Sequence, residues 1–198
     1  MIIAPSMAPA LPDWDLLYQR GAFNPSLSRR ELFQLQDHAD TTAGQVAVDV
    51  GTGLGTLAYM LARRGLHVTG YDASPTAIER ARHLYAERCT ARYEVHDFNL
   101  DTIPRQLAPG GIDLIVCRHV LPFLDKPRFL TDVRRWLHRD GVLHVTTAVT
   151  EKLPAGSKIH ALPEAAVKEL ARGWGSCERY DLDPTGTVTA LVLRGPYG

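Results

Sequence analysis

The chain has 198 residues, 45% of them apolar, enough for one domain with a full core. Lys plus Arg and Asp plus Glu number 22 each, so no basic surplus points to a nucleic-acid partner. No run approaches membrane-spanning length, the proline-broken N-terminus lacks a signal peptide's basic start, and three cysteines (Cys89, Cys117, Cys177) at no metal-like spacing suit a reducing cytoplasm.

Residues 1–12, with Pro5, Pro9 and Pro12, are expected to be loose. Residues 13–20 and 28–40 read as two helices, the second opening on the capping box Ser28-x-x-Glu31. Beyond them strand and helix alternate: strand 46–50, helix 56–64, strand 67–71, helix 75–89, strand 92–96, strand 112–117, helix 126–138, strand 142–148 and helix 163–172. This alternation predicts a parallel sheet with helices on both faces. Pro109-Gly110-Gly111 and Asp140-Gly141 mark turns before the fourth and fifth strands. Strands 177–183 and 187–193 are joined only by Pro184-Thr185-Gly186, too short for a crossover, so they must run antiparallel. The expected fold is a doubly wound, Rossmann-like, three-layer α/β/α domain, its seven-stranded and mostly parallel sheet ending in an antiparallel hairpin. Residues 1–44 are expected to form a helical lid segment, and residues 45–198 the cofactor-binding domain.

The stretch 46–72, VAVDVGTGLGTLAYMLARRGLHVTGYD, carries most of the chemistry. Val46, Val48 and Val50 suit a buried parallel strand. Gly51, Thr52, Gly53 and Gly55 form a turn against which a ligand can lie. Asp72 follows Gly51 by 21 positions, where an acid at a strand tip can bind ribose hydroxyls. It also precedes a helix start, with Ser74 as N-cap and Pro75 at the first helical position. The spacing is G-x-G-x-G, with Thr56 where the dinucleotide fingerprint has its third glycine. Asp49, two residues ahead of the turn, would repel a pyrophosphate but can attract an ammonium.

D-x-G-T-G-x-G followed by a strand-end Asp resembles the cofactor site of class I S-adenosylmethionine (SAM) dependent methyltransferases of the small-molecule type. The likeness continues over roughly residues 46–193, through YEVHDF (93–98) and IDLIVCRHVLPFL (112–124). It implies SAM as cofactor and S-adenosylhomocysteine (SAH) as product. Asp49, Gly51, Thr52, Gly53, Gly55, Asp72, Ala73, Asp97, Phe98 and Arg118 then belong to the cofactor site. Asp97 would contact adenine, although an acid there also suits an ordinary turn. The antiparallel hairpin agrees with this family better than with a dinucleotide domain.

For the acceptor, WDLLYQRGAFNPS (14–26) loosely resembles the N-terminal region of small-molecule methyltransferases. Trp14 and Phe23 suit packing onto the sheet; Tyr18, with its polar tip, is the preferred contact. His119 is either a general base beside the transferable methyl or a packing residue. Arg118 can bind a carboxylate or point to solvent, His160 is a second candidate base, and Lys152 and Lys158 could meet an anion. Thr146-Thr147-Ala148 at the fifth-strand tip offers no carboxylate cluster, so no metal is expected. The implied reaction is methyl transfer to oxygen, nitrogen or sulfur of a small molecule, with no nucleic-acid or membrane partner; the oligomeric state stays open. The rivals are other SAM chemistry on the same fold (cyclisation or decarboxylation), a nicotinamide oxidoreductase, and a cofactor-binding subunit without catalysis.

Overall fold

A computed structural model describes residues 12–21, 26–104 and 106–195. Phe23, Pro5 and Pro9 lie outside the described residues. Two short helices, α1 (Trp14–Gln19) and α2 (Arg29–His38), precede β1 (Val46–Val50), α3 (Thr56–Ala62), β2 (His67–Asp72), α4 (Pro75–Tyr85) and β3 (Arg92–Val95). Then come β4 (Ile112–Arg118), α5 (Lys126–Trp136), β5 (Leu137–Ala148), α6 (Glu164–Leu170), β6 (Ser176–Asp181) and β7 (Val188–Arg194). The strands form one sheet in the order β3-β2-β1-β4-β5-β7-β6. The first five strands pair in parallel, and β7 runs antiparallel to both β5 and β6. The strand order reverses between β1 and β4, where open α/β sheets leave a crevice at their carboxyl ends.

The period of two along each strand sorts its side chains between two cores. Val48 and Val50 of β1 and Ile115 and Cys117 of β4 join Phe129, Val133 and Trp136 of α5 and Val167 of α6. Ala47, Leu114 and Val116 face the other way, onto Leu32 and Leu35 of α2, Leu57 and Leu61 of α3 and Ile78 of α4. Burial pushes the Cys117 thiol up to about 12, as befits a core residue.

Two expectations are corrected. Asp140-Gly141 does not separate a turn from a strand beginning at 142: β5 starts at Leu137, and His138–Gly141 form an irregularity within it. Ile112 pairs with Leu137 and Leu114 with Val142, so the extra residues bulge from the ladder. A side chain at Gly141 would crowd the carbonyls of His138 and Ile112 at 2.9 and 3.0 Å. The capping box is also only half made. Ser28 Oγ accepts from the Glu31 amide at 3.0 Å, but the Glu31 carboxylate turns to Arg118, whose Nε donates to it at 2.5 Å. Arg118 shares the strand face of Leu114 and Val116, the face that α2 covers, so tertiary packing offers Glu31 a charged partner in place of a backbone amide.

Candidate cofactor and acceptor site

A cavity of about 320 Å³ opens at the switch point, within the size range of small-molecule sites. Asp49, Gly51, Thr52, Gly53, Asp72, Ala73, Asp97, Phe98, Arg118, His119 and Tyr18 all line it. The fold thus brings to one cavity Asp49 and Asp97, 48 positions apart, and Tyr18 and His119, 101 positions apart.

The turn after β1 is held by hydrogen bonds of its own. Thr52 Oγ1 donates to Asp49 Oδ2 at 2.7 Å, and the Thr52 amide donates to the Tyr71 carbonyl at 2.8 Å. Thr52 fits because Gly70, opposite it in β2, has no side chain: a Cβ there would sit 2.6 Å from the Thr52 hydroxyl. Gly70 escaped the sequence reading, although a glycine inside a strand signals close approach. Gly53 has φ +56°, and a Cβ on it would sit 2.6 Å from the Tyr18 hydroxyl. Gly55 departs from its expected role. It does not line the cavity but packs behind the turn, where a Cβ would meet the Tyr93 ring at 2.5 Å; its carbonyl accepts from the Tyr93 hydroxyl at 3.1 Å.

Asp72 is oriented by two backbone donors, Gly53 N–H on Oδ2 and Ser74 N–H on Oδ1, both at 2.9 Å. A carboxylate offers about four lone-pair sites, so two remain to face the cavity. Burial raises the Asp72 carboxyl above its ordinary value, and the two amides partly offset this. Burial also pushes Asp49 up to about 6, offset by the Thr52 hydroxyl and Arg118. Asp97 makes the expected local turn, with Oδ1 accepting from the Asn99 amide at 2.8 Å, and still lines the cavity. The Phe98 ring is largely committed to the core, 5.8 Å from both Tyr71 and Phe129. The residues therefore fit a ligand with a cationic tail and a ribose: a buried anion, an acid with unused acceptors, and a turn that admits no side chain between them.

Arg118 does not point to solvent. Its Nη2 donates to Glu31 Oε2 at 3.1 Å and to the Ser26 carbonyl at 2.8 Å. His119 has φ +60°, and its amide donates to the Thr146 carbonyl at 2.7 Å. Positive φ in a non-glycine residue at a cavity wall is stored strain of the kind that marks functional positions. Burial, helped by Arg118 and opposed by Glu31, pushes its imidazole down to about 4, so the ring is neutral at ordinary pH.

The cavity wall beneath α1 is aromatic. Trp14 of α1 meets Phe123 edge-on at 4.6 Å, and Phe123 in turn meets His160 at 4.6 Å. The segment 149–162 is pinned at both ends, with Leu162 N–H donating to the Ala148 carbonyl and Thr150 N–H to the Leu162 carbonyl, both at 3.0 Å. Lys152 stands apart from the cavity, 3.9 Å from Asp181. His96, a buried cavity residue that the sequence reading passed over, stacks edge-on against Phe98 at 4.6 Å.

An open α/β sheet with a glycine turn and two buried acids, Asp49 and Asp72, at its switch point has the architecture of the doubly wound nucleotide-binding class. The family described as Methyltransferase domain matches residues 41–181, and the chain belongs to it, among the class I SAM-dependent methyltransferases. A ubiquinone biosynthesis O-methyltransferase of Albidiferax ferrireducens is 32% identical over 116 residues, 58% of this chain and 44% of that protein. The chain spans about half the length of the first curated relatives it matches, 44% to 53%. In fold it is similar to a TehB-like SAM-dependent methyltransferase from Corynebacterium glutamicum (TM-score 0.62, 22% identity, 92% of this chain and 94% of that one). It is also similar to the [4+2]-cyclase SpnF (TM-score 0.67, 18% identity, 85% and 81%).

Proposed function

We propose that this chain binds SAM in the switch-point cavity and transfers its methyl group to a small-molecule acceptor held beneath α1. The observation that carries this is Asp72, fixed by the Gly53 and Ser74 amides with acceptors to spare, opposite the buried Asp49. Support for an oxygen acceptor comes from relatives named as ubiquinone biosynthesis O-methyltransferases. Three free cysteines, one of them in the core, fit a cytoplasmic setting, and no helix among the described residues is long and apolar enough to cross a membrane.

In this reading Asp72 accepts from the ribose hydroxyls, Asp49 holds the ammonium of the amino-acid tail, and Asp97 faces the adenine. When bound, SAM supplies an electrophilic methyl on a sulfonium. Trp14 and Tyr18 exclude water from the reacting atoms, which strengthens every polar contact beneath them. Holding the acceptor in line with the methyl supplies much of the rate, since orientation alone reaches effective molarities of roughly 10⁵–10⁸ M. His119, neutral at the cavity wall, takes the acceptor's proton on a ring nitrogen as the new bond forms.

Calorimetry with SAM and with NAD tests the proposal: SAM should bind and NAD should not. Asp72→Ala should weaken SAM binding by roughly 10- to 100-fold in a folded protein, since hydrogen bonds to a charged group contribute about 1.5–3 kcal/mol each. Unchanged affinity in that variant would reject the ribose assignment.

Asp49 gives the cofactor affinity a pH dependence of known sign. The bound ammonium needs the anion, and burial against the protein's own groups places the carboxyl at about 6. SAM affinity should therefore fall by up to about tenfold for each pH unit below that value, and Asp49→Asn should flatten the curve. The ligand-free fold responds oppositely: its raised carboxyl contributes stability as pH falls from about 6 towards the unfolded value near 3.9, and loses it as pH rises. A SAM affinity that is level from about pH 5 to 8 would remove Asp49 from the ammonium site.

A further inference from the structure

Six residues make too short a helix to persist alone, so α1 needs outside support. It finds that support on α4, at both ends. Near the start of α1, Asp15 Oδ1 accepts from the Ser74 hydroxyl at 2.7 Å and from the Thr76 amide at 2.8 Å. The Thr76 amide is one of the donors that the first turn of α4 leaves unpaired, and an anion is favoured at that positive helix end. At the other end of α1, Arg80 Nη1 donates to the Tyr18 carbonyl at 2.7 Å, and Nη2 reaches the Gln19 carbonyl at 3.4 Å. Those carbonyls belong to the last turn, where a cation is favoured; the Tyr18 carbonyl also accepts from the Gly21 amide at 3.0 Å. Thr76 and Arg80 are four residues apart and share one face of α4, so α1 lies along that face, gripped by charge at each end.

The grip is outside the cavity, but what it holds is inside. The buried Tyr18 hydroxyl stands over Gly53, and Trp14 abuts Phe123. Ser74 connects grip and cavity. Its hydroxyl donates to Asp15 and accepts from the Ala77 amide at 3.1 Å, while its own amide holds Asp72. The residue that fastens α1 is thus the one that orients the acid assigned to the ribose.

We propose that Asp15 and Arg80 latch α1 over the cofactor cavity, acting through Ser74 and Asp72, and that this latch sets how slowly SAM and SAH leave. The two are positioning residues: their polar contacts are with α1 and α4. The inference rests on the cofactor reading above, and goes beyond it in assigning cofactor residence time to two side chains outside the cavity.

The test measures SAH dissociation by rapid displacement in the full chain, together with amide exchange of the cofactor-free protein. Asp15→Ala and Arg80→Ala should each speed release by roughly 3- to 10-fold, the size of about one net hydrogen bond, with little change in association. The double variant should release SAH little faster than the faster single one, because an α1 freed at one end no longer holds at the other. Amides of α1 should exchange faster in each variant while those of the central strands keep their protection, and Asp15→Asn, which retains one acceptor oxygen, should recover part of the slow release. Variants that release SAH at the wild-type rate overturn the latch and leave the cofactor reading intact. A wild type that binds neither SAM nor SAH overturns both. Effects of the two single variants that multiply fully in the double would show two separate local contacts, and would overturn the latch as a unit.

Discussion

Gly53→Val should abolish SAM binding. At φ +56° a β-branched residue is a conformational outlier, and such strain costs about 1–3 kcal/mol before any contact is considered. The new Cβ would also stand 2.6 Å from the Tyr18 hydroxyl, at the wall of the cavity proposed to hold SAM. The Gly53 amide would shift with the backbone and loosen its 2.9 Å bond to Asp72, so one change disturbs the turn, the Tyr18 contact and the orientation of Asp72 together. Calorimetry on a variant whose circular dichroism matches the wild type checks this. Wild-type affinity for SAH would show that the turn is only structural.

His119→Ala should cut the chemical step by about 10²–10³-fold while SAM affinity stays near that of the wild type. A positioned general base contributes about 10²–10⁴-fold, and the lower part of that range applies because burial has made this imidazole a weaker base than usual. Its low pKa also moves the expected acid limb. The rate at saturating SAM should stay level through mildly acid pH and fall as pH approaches about 4, where the ring becomes protonated; the variant should lack that limb. Measuring at saturation separates this from the Asp49 effect, which acts on affinity nearer pH 6. If His119→Asn keeps both the rate and the pH profile, the ring only shapes the wall, and the acceptor is one that reacts without losing a proton, such as a carboxylate or thiolate.

The two predictions differ in how directly local sequence supports them. Gly53 and Asp72 are readable because their chemistry is local: a positive φ and an acid at a strand tip are consequences of residue type and short spacing, whatever the rest of the chain does. The same holds for the antiparallel hairpin, where the three-residue link Pro184-Thr185-Gly186 cannot cross over, and for the capped start of α4 at Ser74 and Pro75. Alternating apolar periods were enough to predict the layers, because each strand must bury two faces and each helix one.

Tertiary structure decided the rest, wherever a side chain had partners distant in sequence. Glu31 has the spacing of a capping box, but α2 lies over the strand face that carries Arg118, and a largely buried ion pair takes the place of a backbone amide. Gly55 belongs to the glycine motif, yet the Tyr93 ring, 38 positions on, claims the space beside it. Arg118 loses its apparent freedom for the same reason as Glu31. His119 owes its depressed pKa to burial and to Arg118, with Glu31 of α2 opposing, surroundings that no local window contains. Asp15 looks like an ordinary first-turn acid until α1 is laid along α4 and meets the free amide of Thr76. Short-range geometry specifies which residues can bind a cofactor; only packing, which brings distant donors and acceptors within 3 Å of one another, specifies what orients them and what covers them.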